Sequence, residues 1–363
     1  MRIGRKFAAL CSVGSLLLLG VSGTANAHDE SSLRVLFSGL SSPKGLAASG
    51  SRELIIAQGA FGAPGPVLAL QLSGRNRGMA FPVTDPFNLI DIAISPTDGS
   101  GWAIGGDAHL YQQLADGSIV DVLDIPGYQA TDPDPVDHDD PPNPTESNPY
   151  GLTVDHHGNA LVTDAAGNDL LRVSPDGTAV TVARFDLEAV ATDHVPDFGL
   201  PPMFDAEAVP TTVTIGPDGA IYVGELKGFP FRPGTSRIWR IDPYAEDAWC
   251  SANSPDPTGS CTMYSAGYTG IQDIAFNLHN GRMYVYELAA DGVFAFEEGL
   301  STGVFPPAVL LEVKRRRSSE SRVELAEGEL FEPGGVVVGA EGKVYVTDGV
   351  FTGGRVSRVI RDH

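Results

Sequence analysis

Apolar and polar residues alternate with a period of two along most of this chain, in short runs broken by turn residues. Gly151-Leu152-Thr153-Val154 is followed by the turn Asp155-His156-His157-Gly158, then by Ala160-Leu161-Val162-Thr163-Asp164, and after a gap by Leu170-Leu171-Arg172-Val173. Thr212-Val213-Thr214-Ile215 opens the same series again, continuing through Ala220-Ile221-Tyr222-Val223-Gly224-Glu225 to Arg237-Ile238-Trp239-Arg240-Ile241. Such runs, bounded by Gly, Asp and Pro, read as strand, turn, strand. The first strand of the unit recurs near Leu46, Ile92, Leu152, Val213, Ile274 and Val336, at spacings of 46, 60, 61, 61 and 62 residues. Six units with room for four strands each predict an all-β chain, a six-bladed β-propeller occupying 28–363 as one domain.

The two ends of the chain complete this picture. Middle units have a fourth strand, as in Thr178-Ala179-Val180-Thr181-Val182-Ala183, but the last unit stops at Val356-Ser357-Arg358-Val359-Ile360. A spare strand, Leu33-Arg34-Val35-Leu36-Phe37, precedes the first unit. Pairing it onto the last blade closes the ring and removes an exposed sheet edge.

Residues 1–27 carry a different pattern. Arg2, Arg5 and Lys6 precede an apolar stretch centred on Leu16-Leu17-Leu18-Leu19, and Ala25-Asn26-Ala27 supplies a small-residue cleavage site. This is the layout of a secretory signal peptide, so the mature protein is expected in the periplasm or the medium, with no membrane span after cleavage. Cleavage takes three positive charges from a formal net charge of −22 and leaves −25. An acidic surface of that size keeps the protein soluble and disfavours nucleic acid and anionic membranes. The mature chain keeps Cys250 and Cys261, and the Pro-, Ser- and Asp-rich loop between them favours a disulfide in an oxidising compartment.

Insertions decorate the repeat at 124–150, 186–209 and 242–261, and Lys314-Arg315-Arg316-Arg317 forms a basic run that reads as a solvated connection. The acidic loop at 132–140 lacks the spacing and the glycine of an EF-hand loop and reads as a solvated linker ahead of a cation site. His156 and His157 read as surface turn residues. No G-x-S-x-G, H-E-x-x-H or C-x-x-C occurs, and Gly334-Gly335 opens a strand rather than a dinucleotide loop, so no nucleotide or flavin motif is present.

In a propeller the first strands line the channel, and ligands meet the loops that lead into the first strand and out of the second. The second strands of the units end on Gln58, Gly106, Asp164, Glu225, Glu287 and Asp348, four of them carboxylates. Gathered round one axis, Asp164, Glu225, Glu287 and Asp348 would repel unless protonated, separated or bridged by a cation, and hard oxygens of this kind suit Ca²⁺. The competing reading is that each caps its own turn by accepting backbone N–H bonds. Asp91, Asn148, Asp273 and Glu332 lead into first strands and are the candidate ligand-binding residues.

The run Ser147-Asn148-Pro149-Tyr150-Gly151-Leu152 with Asp164-Ala165-Ala166-Gly167-Asn168-Asp169-Leu170-Leu171-Arg172-Val173 resembles the ScyD/ScyE family. Val209-Pro210-Thr211-Thr212-Val213 and Tyr222-Val223-Gly224-Glu225-Leu226-Lys227-Gly228-Phe229-Pro230-Phe231 do so as well. That resemblance spans most of the mature chain and implies a secreted propeller of NHL-like blades, from a family named for pigment biosynthesis. The loop before Ser147 departs from the family in being Asp- and Pro-rich, and the family offers no catalytic set to carry over.

Two functions compete. One is an extracytoplasmic binding propeller for a small molecule or a protein, supported by the lack of any nucleophile, base or cofactor motif. The other is a cation-dependent enzyme acting on a small organic molecule by hydrolysis or oxidative coupling, supported by the carboxylates and by analogy with metal-dependent lactonases of this architecture. The tripartite N-terminus carries the first test: intact-mass analysis of exported protein should find His28 at the N-terminus, and material retaining Met1 would refute the assignment.

Overall fold

A computed structural model of the chain describes residues 27–28, 31–138, 141–316 and 319–361. Residues 1–26 of the segment read as a signal peptide, Asp139 and Asp140 of the acidic loop, and Arg317 of the basic run lie outside them.

The strands form six antiparallel meanders arranged as blades around one axis, and the six first strands lie within the runs named above. Blade 1 uses Leu46–Ser49, Glu53–Ile56, Leu68–Gln71 and Ala80–Pro82, and blade 2 uses Leu89–Ile94, Gly101–Gly105, His109–Gln113 and Ile119–Asp124. Blade 3 runs Pro149–Val154, Ala160–Asp164, Asp169–Val173 and Ala179–Phe185, and blade 4 runs Pro210–Ile215, Ile221–Glu225, Ser236–Ile241 and Cys261–Tyr268. Blade 5 is Ile271–Phe276, Met283–Glu287, Val309–Arg316 and Ser319–Leu325. Blade 6 draws three strands, Val336–Val338, Val344–Asp348 and Gly354–Arg361, from the C-terminus. Its outer strand, Ser31–Leu40, comes from the N-terminus and pairs antiparallel with Gly354–Arg361 from Ser31↔Arg361 to Leu40↔Gly354. The ring is closed as the repeat requires, so blade 6 is not left with a bare edge.

The core lies between blades. Among the described residues each seam has its own apolar cluster. Trp102, Ile104 and Leu110 meet Leu152, Val162 and Leu171 between blades 2 and 3. Leu161 and Leu170 meet Val213, Val223 and Trp239 between blades 3 and 4, and Val356 and Tyr345 meet Leu46, Leu54 and Leu70 at the closing seam. Each sheet buries both faces of its inner strands against its neighbours, so second strands such as Ala160–Asp164 and Met283–Glu287 are buried throughout, and exposed positions fall at turns and outer strands.

Cys250 and Cys261 are bonded, with Cα atoms 5.3 Å apart. Cys250 ends a short strand, Ala248–Cys250, that adds in parallel to the outer strand of blade 3, while Cys261 starts the outer strand of blade 4. The bridge therefore ties two neighbouring blades together as well as closing its loop. The acidic loop is more anchored than a solvated linker: Asp132 accepts from Arg184 Nη2 at 2.6 Å, and the buried Asp134 accepts from Asn168 Nδ2 at 3.0 Å. Arg315 of the basic run lies over the Tyr264 ring, 4.2 Å from its centroid. No helix among the described residues is long and apolar enough to cross a membrane.

Deleting 33–39 should lower the melting temperature by about 10 °C or more, since blade 6 loses its outer strand and the apolar closing seam opens. A synthetic peptide of residues 31–40 added in trans should recover part of that loss where a scrambled peptide does not. Equal behaviour of the two peptides would count against strand closure.

Candidate functional site

The first strands of blades 2 to 5 each begin with a register shift, at Leu89/Asp91, Pro149/Gly151, Pro210/Thr212 and Ile271/Asp273. The residue at this bulge faces the axis, and around the ring the equivalent positions are Gly45, Asp91, Gly151, Thr212, Asp273 and Gly335. The glycines mark close approach. A Cβ on Gly45 would sit 2.8 Å from Asp91 Cα, one on Gly151 2.7 Å from Thr212 Cα, and one on Gly335 2.7 Å from the Lys44 carbonyl oxygen.

The three polar members each reach the backbone of the next blade. Asp91 accepts from Leu152 N at 2.9 Å, Thr212 Oγ1 from Ile274 N at 3.3 Å, and Asp273 from Val336 N at 2.7 Å. Asp91 and Asp273 also accept from their own following amides, Ile92 and Ile274, both at 2.8 Å. Thr212 Oγ1 donates to Asp273 Oδ1 at 2.7 Å. At two of the three glycines a buried threonine near the end of the second strand accepts from the glycine amide, Thr163 from Gly151 and Thr347 from Gly335. Hydrogen bonds to charged groups contribute on the order of 1.5–3 kcal/mol each, so this collar fastens blades as well as filling the axis.

A second layer crosses the axis. The buried Lys44 Nζ donates to the Tyr150 carbonyl at 2.7 Å, lies 4.0 Å from the Tyr150 ring centroid and sits 3.9 Å from Asp91 Oδ2. Tyr150 Oη in turn donates to Gln272 Oε1 at 3.0 Å. Burial raises the Asp91 pKa while Lys44 opposes the rise. Burial, and then the charge of Asp91, push Asp273 up to about 6. The Tyr150 hydroxyl is held protonated by burial and by both carboxylates.

The insertions 124–150 and 186–209 and the loops that follow the second strands rise from one face of the ring, while 242–261, between the third and fourth strands of blade 4, leaves the other; the first face carries many of the aromatic rings. Phe61 lies 6.5 Å from Tyr150 and stacks on Phe351 at 5.4 Å; Phe351 stacks on Phe305 at 5.9 Å, and Phe305 meets Phe296 at 5.1 Å. This file of rings runs from the axis to a cleft of about 440 Å³ lined by Phe305, Phe331, Glu332, Asp348, Thr352 and Arg355. Phe61, Phe331 and Phe351 are exposed by 49%, 38% and 44%. A second aromatic group, Phe198, Phe204, Phe229, Phe231 and Phe294, covers the blade 4 side of the same face.

Solved structures contain the same ring. A glucose dehydrogenase superposes with a TM-score of 0.55 at 14% identity, covering 92% of this chain and 100% of that one. The soluble aldose sugar dehydrogenase of Escherichia coli gives 0.52 at 12% identity, and a virginiamycin B lyase from Staphylococcus aureus 0.51 at 15%, each covering 92% of this chain and 100% of the other. The likeness establishes the fold. It carries no residue across at such identities. No family model matches the chain and no curated protein matches it, so the resemblance to ScyD/ScyE proteins rests on the quoted motifs alone.

The carboxylates that end the second strands are engaged separately. Asp164 accepts from Asn148 N and Ser147 Oγ, both at 2.6 Å, and from Gly167 N at 3.1 Å, so Asn148 meets this carboxylate through its backbone. Glu225 pairs with the buried Lys227 at 3.0 Å and accepts from Trp239 Nε1 at 3.1 Å. Glu287 accepts from Thr269 N at 2.8 Å. Asp348 takes Arg355 on both oxygens, at 2.8 and 2.7 Å. Among the described residues no three His, Cys, Asp or Glu side chains are grouped to hold a metal ion. Of the residues singled out in the sequence, the fold brings Asp91 and Asp273 into electrostatic contact at the axis and places Glu332 and Asp348 on one cleft. Glu332 there accepts from Phe351 N and Thr352 N at 2.6 and 2.8 Å. Lys44, Tyr150, Thr212, Gln272 and the aromatic file were not singled out. The repeat alignment already held a signal for the collar, since the residue preceding Leu46, Ile92, Leu152, Val213, Ile274 and Val336 is in every unit either glycine or a short polar residue.

Glu287 gives a test with a definite sign. Burial raises its pKa from 4.5 to about 7, so the folded state holds the proton more tightly than the unfolded chain. The stabilisation that comes with the proton is complete below pH about 4.5 and is lost as pH rises through 7, a change on the order of 3 kcal/mol. Glu287→Gln keeps an acceptor for Thr269 N and stays neutral. By urea unfolding it should match the parent near pH 5 and be the more stable protein at pH 8. A difference independent of pH would show that burial does not perturb this carboxyl.

Proposed function

We propose that the protein is an exported binding propeller that holds a small ring-bearing organic molecule in the cleft between Phe305 and Phe331, on the face that carries the aromatic loops. One observation carries this reading. The exposed rings line up beside the cleft and lead to Tyr150, while the polar groups of cleft and axis already have partners within the protein. Glu332 is taken up by the 351–352 backbone, Asp348 and Arg355 hold each other, and Lys44 is tied to Tyr150. Such a cleft offers flat apolar faces with a fixed polar wall, as small-molecule sites do. Export is supported by the signal-peptide pattern and is consistent with the Cys250–Cys261 bridge.

An enzymatic role would fall on Asp273, whose pKa near 6 suits proton transfer. Its oxygens, however, are occupied by Thr212, Ile274 and Val336, which favours binding over chemistry. Calcium remains a proposal of the sequence pattern, and the separate pairing of the four carboxylates does not add to it.

A thermal-shift panel of phenols, indoles and coumarins at pH 7 should contain compounds that raise the melting temperature. Phe331→Ala should weaken their binding about tenfold or more, a loss of roughly 1.4 kcal/mol, with little change in the ligand-free protein because the ring is partly exposed. A panel without a single binder, or binding indifferent to Phe331 and Phe305, would overturn the assignment.

A further inference from the structure

The opposite face of the ring carries a second cavity, of about 410 Å³, at the seam where the N-terminal strand completes blade 6 beside blade 1. Its walls hold Arg34 from that strand, Arg358 from the third strand of blade 6, Arg77 from a turn of blade 1, and Lys343 with Glu341 from a turn of blade 6. We infer that this seam is an anion-binding site for a small molecule bearing a phosphate, sulfate or carboxylate group.

Three observations converge on it. The first is register: Arg34 lies directly opposite Arg358 in the antiparallel pair that closes the ring. Directly opposed residues share a face with Cβ atoms about 5 Å apart, and like charges there are destabilising.

The second is the lack of compensation in a chain where acidic residues outnumber basic ones 46 to 24. Many arginines elsewhere are tied to carboxylates, as Arg184 is to Asp132, Arg237 to Glu188 and Arg355 to Asp348, although Arg52, Arg75 and Arg315 are not. Among the described residues Arg34, Arg77 and Arg358 have no such ion pair. The one carboxylate in the cavity's walls, Glu341, is held by Lys343, and the Arg358 charge lowers its pKa further.

The third is shape. The cavity has room for more than a bare ion, and its walls include the apolar Val35, Leu36 and Leu72 beside the guanidinium groups. Planar guanidinium forks match the oxygens of carboxylate, phosphate and sulfate in paired hydrogen bonds. An anion bridging Arg34 and Arg358 would relieve their repulsion and fasten the closing strand. This site is independent of the aromatic cleft.

The test uses the mature protein at low ionic strength, titrated by calorimetry and thermal shift with pyrophosphate, sulfate and citrate against chloride at matched ionic strength. At least one of the three should bind saturably and raise the melting temperature beyond chloride, and the strongest binder names the anion class. Arg358→Gln and Arg34→Gln should each weaken that binding tenfold or more. Each should also raise the melting temperature of the anion-free protein, because the like-charge pair is gone, a change opposite in sign to loss of a structural side chain. If all three anions act no differently from chloride, or if both variants bind as the parent does, the inference fails. Should a variant not fold, the titration of the parent decides alone.

Discussion

Six strands beginning at one level around one axis leave little room between them, and this crowding governs the rest of the molecule. Where Gly45, Gly151 and Gly335 stand, a methyl group would press into the neighbouring blade. The remaining space takes three short polar side chains, Asp91, Thr212 and Asp273, each of which accepts a backbone amide of the next blade. Packing and hydrogen bonding are thus solved by the same three residues. The cost falls on the carboxylates, which lose hydration and compete for charge across the axis, and Lys44 partly compensates.

A filled axis moves recognition outward. With Lys44, Tyr150 and Gln272 bonded across the middle, a ligand on this face meets the rim, where the insertions between strands place their aromatic rings. The rings are partly exposed because they belong to loops, whereas the apolar side chains of the blades are spent on the seams. The two faces then differ in character. One offers aromatic surface beside satisfied polar groups, and the other, at the closing seam, offers unpaired guanidinium groups in an otherwise acidic protein.

Much of the architecture was legible in the chain. Period-two alternation and a spacing near 60 residues dictate repeated meanders, and a last unit one strand short, with a spare strand at the start, leaves few ways to avoid a bare edge. The cysteine pair followed from compartment and loop composition. The carboxylates at the ends of the second strands were less legible. Their equivalent positions pointed to one axis, yet each met a partner from its own surroundings first: Asp164 the turn that follows it, Glu225 the lysine two residues on, Asp348 the arginine of the neighbouring strand. A repeat specifies where a backbone position lies, and local donors decide where the side chain turns.

The sequence by itself determined the blade number, the closure of the ring and the bonded cysteines, because strand periodicity and repeat length act locally and survive translation along the chain. Only the tertiary structure decided which residues share a site. Lys44 and Tyr150 are 106 residues apart, Arg34 and Arg358 more than 300, and nothing in their local pattern announces a partner. Contacts across an axis or a closing seam depend on how the blades' curvature brings distant turns together, and that follows from packing of the whole ring.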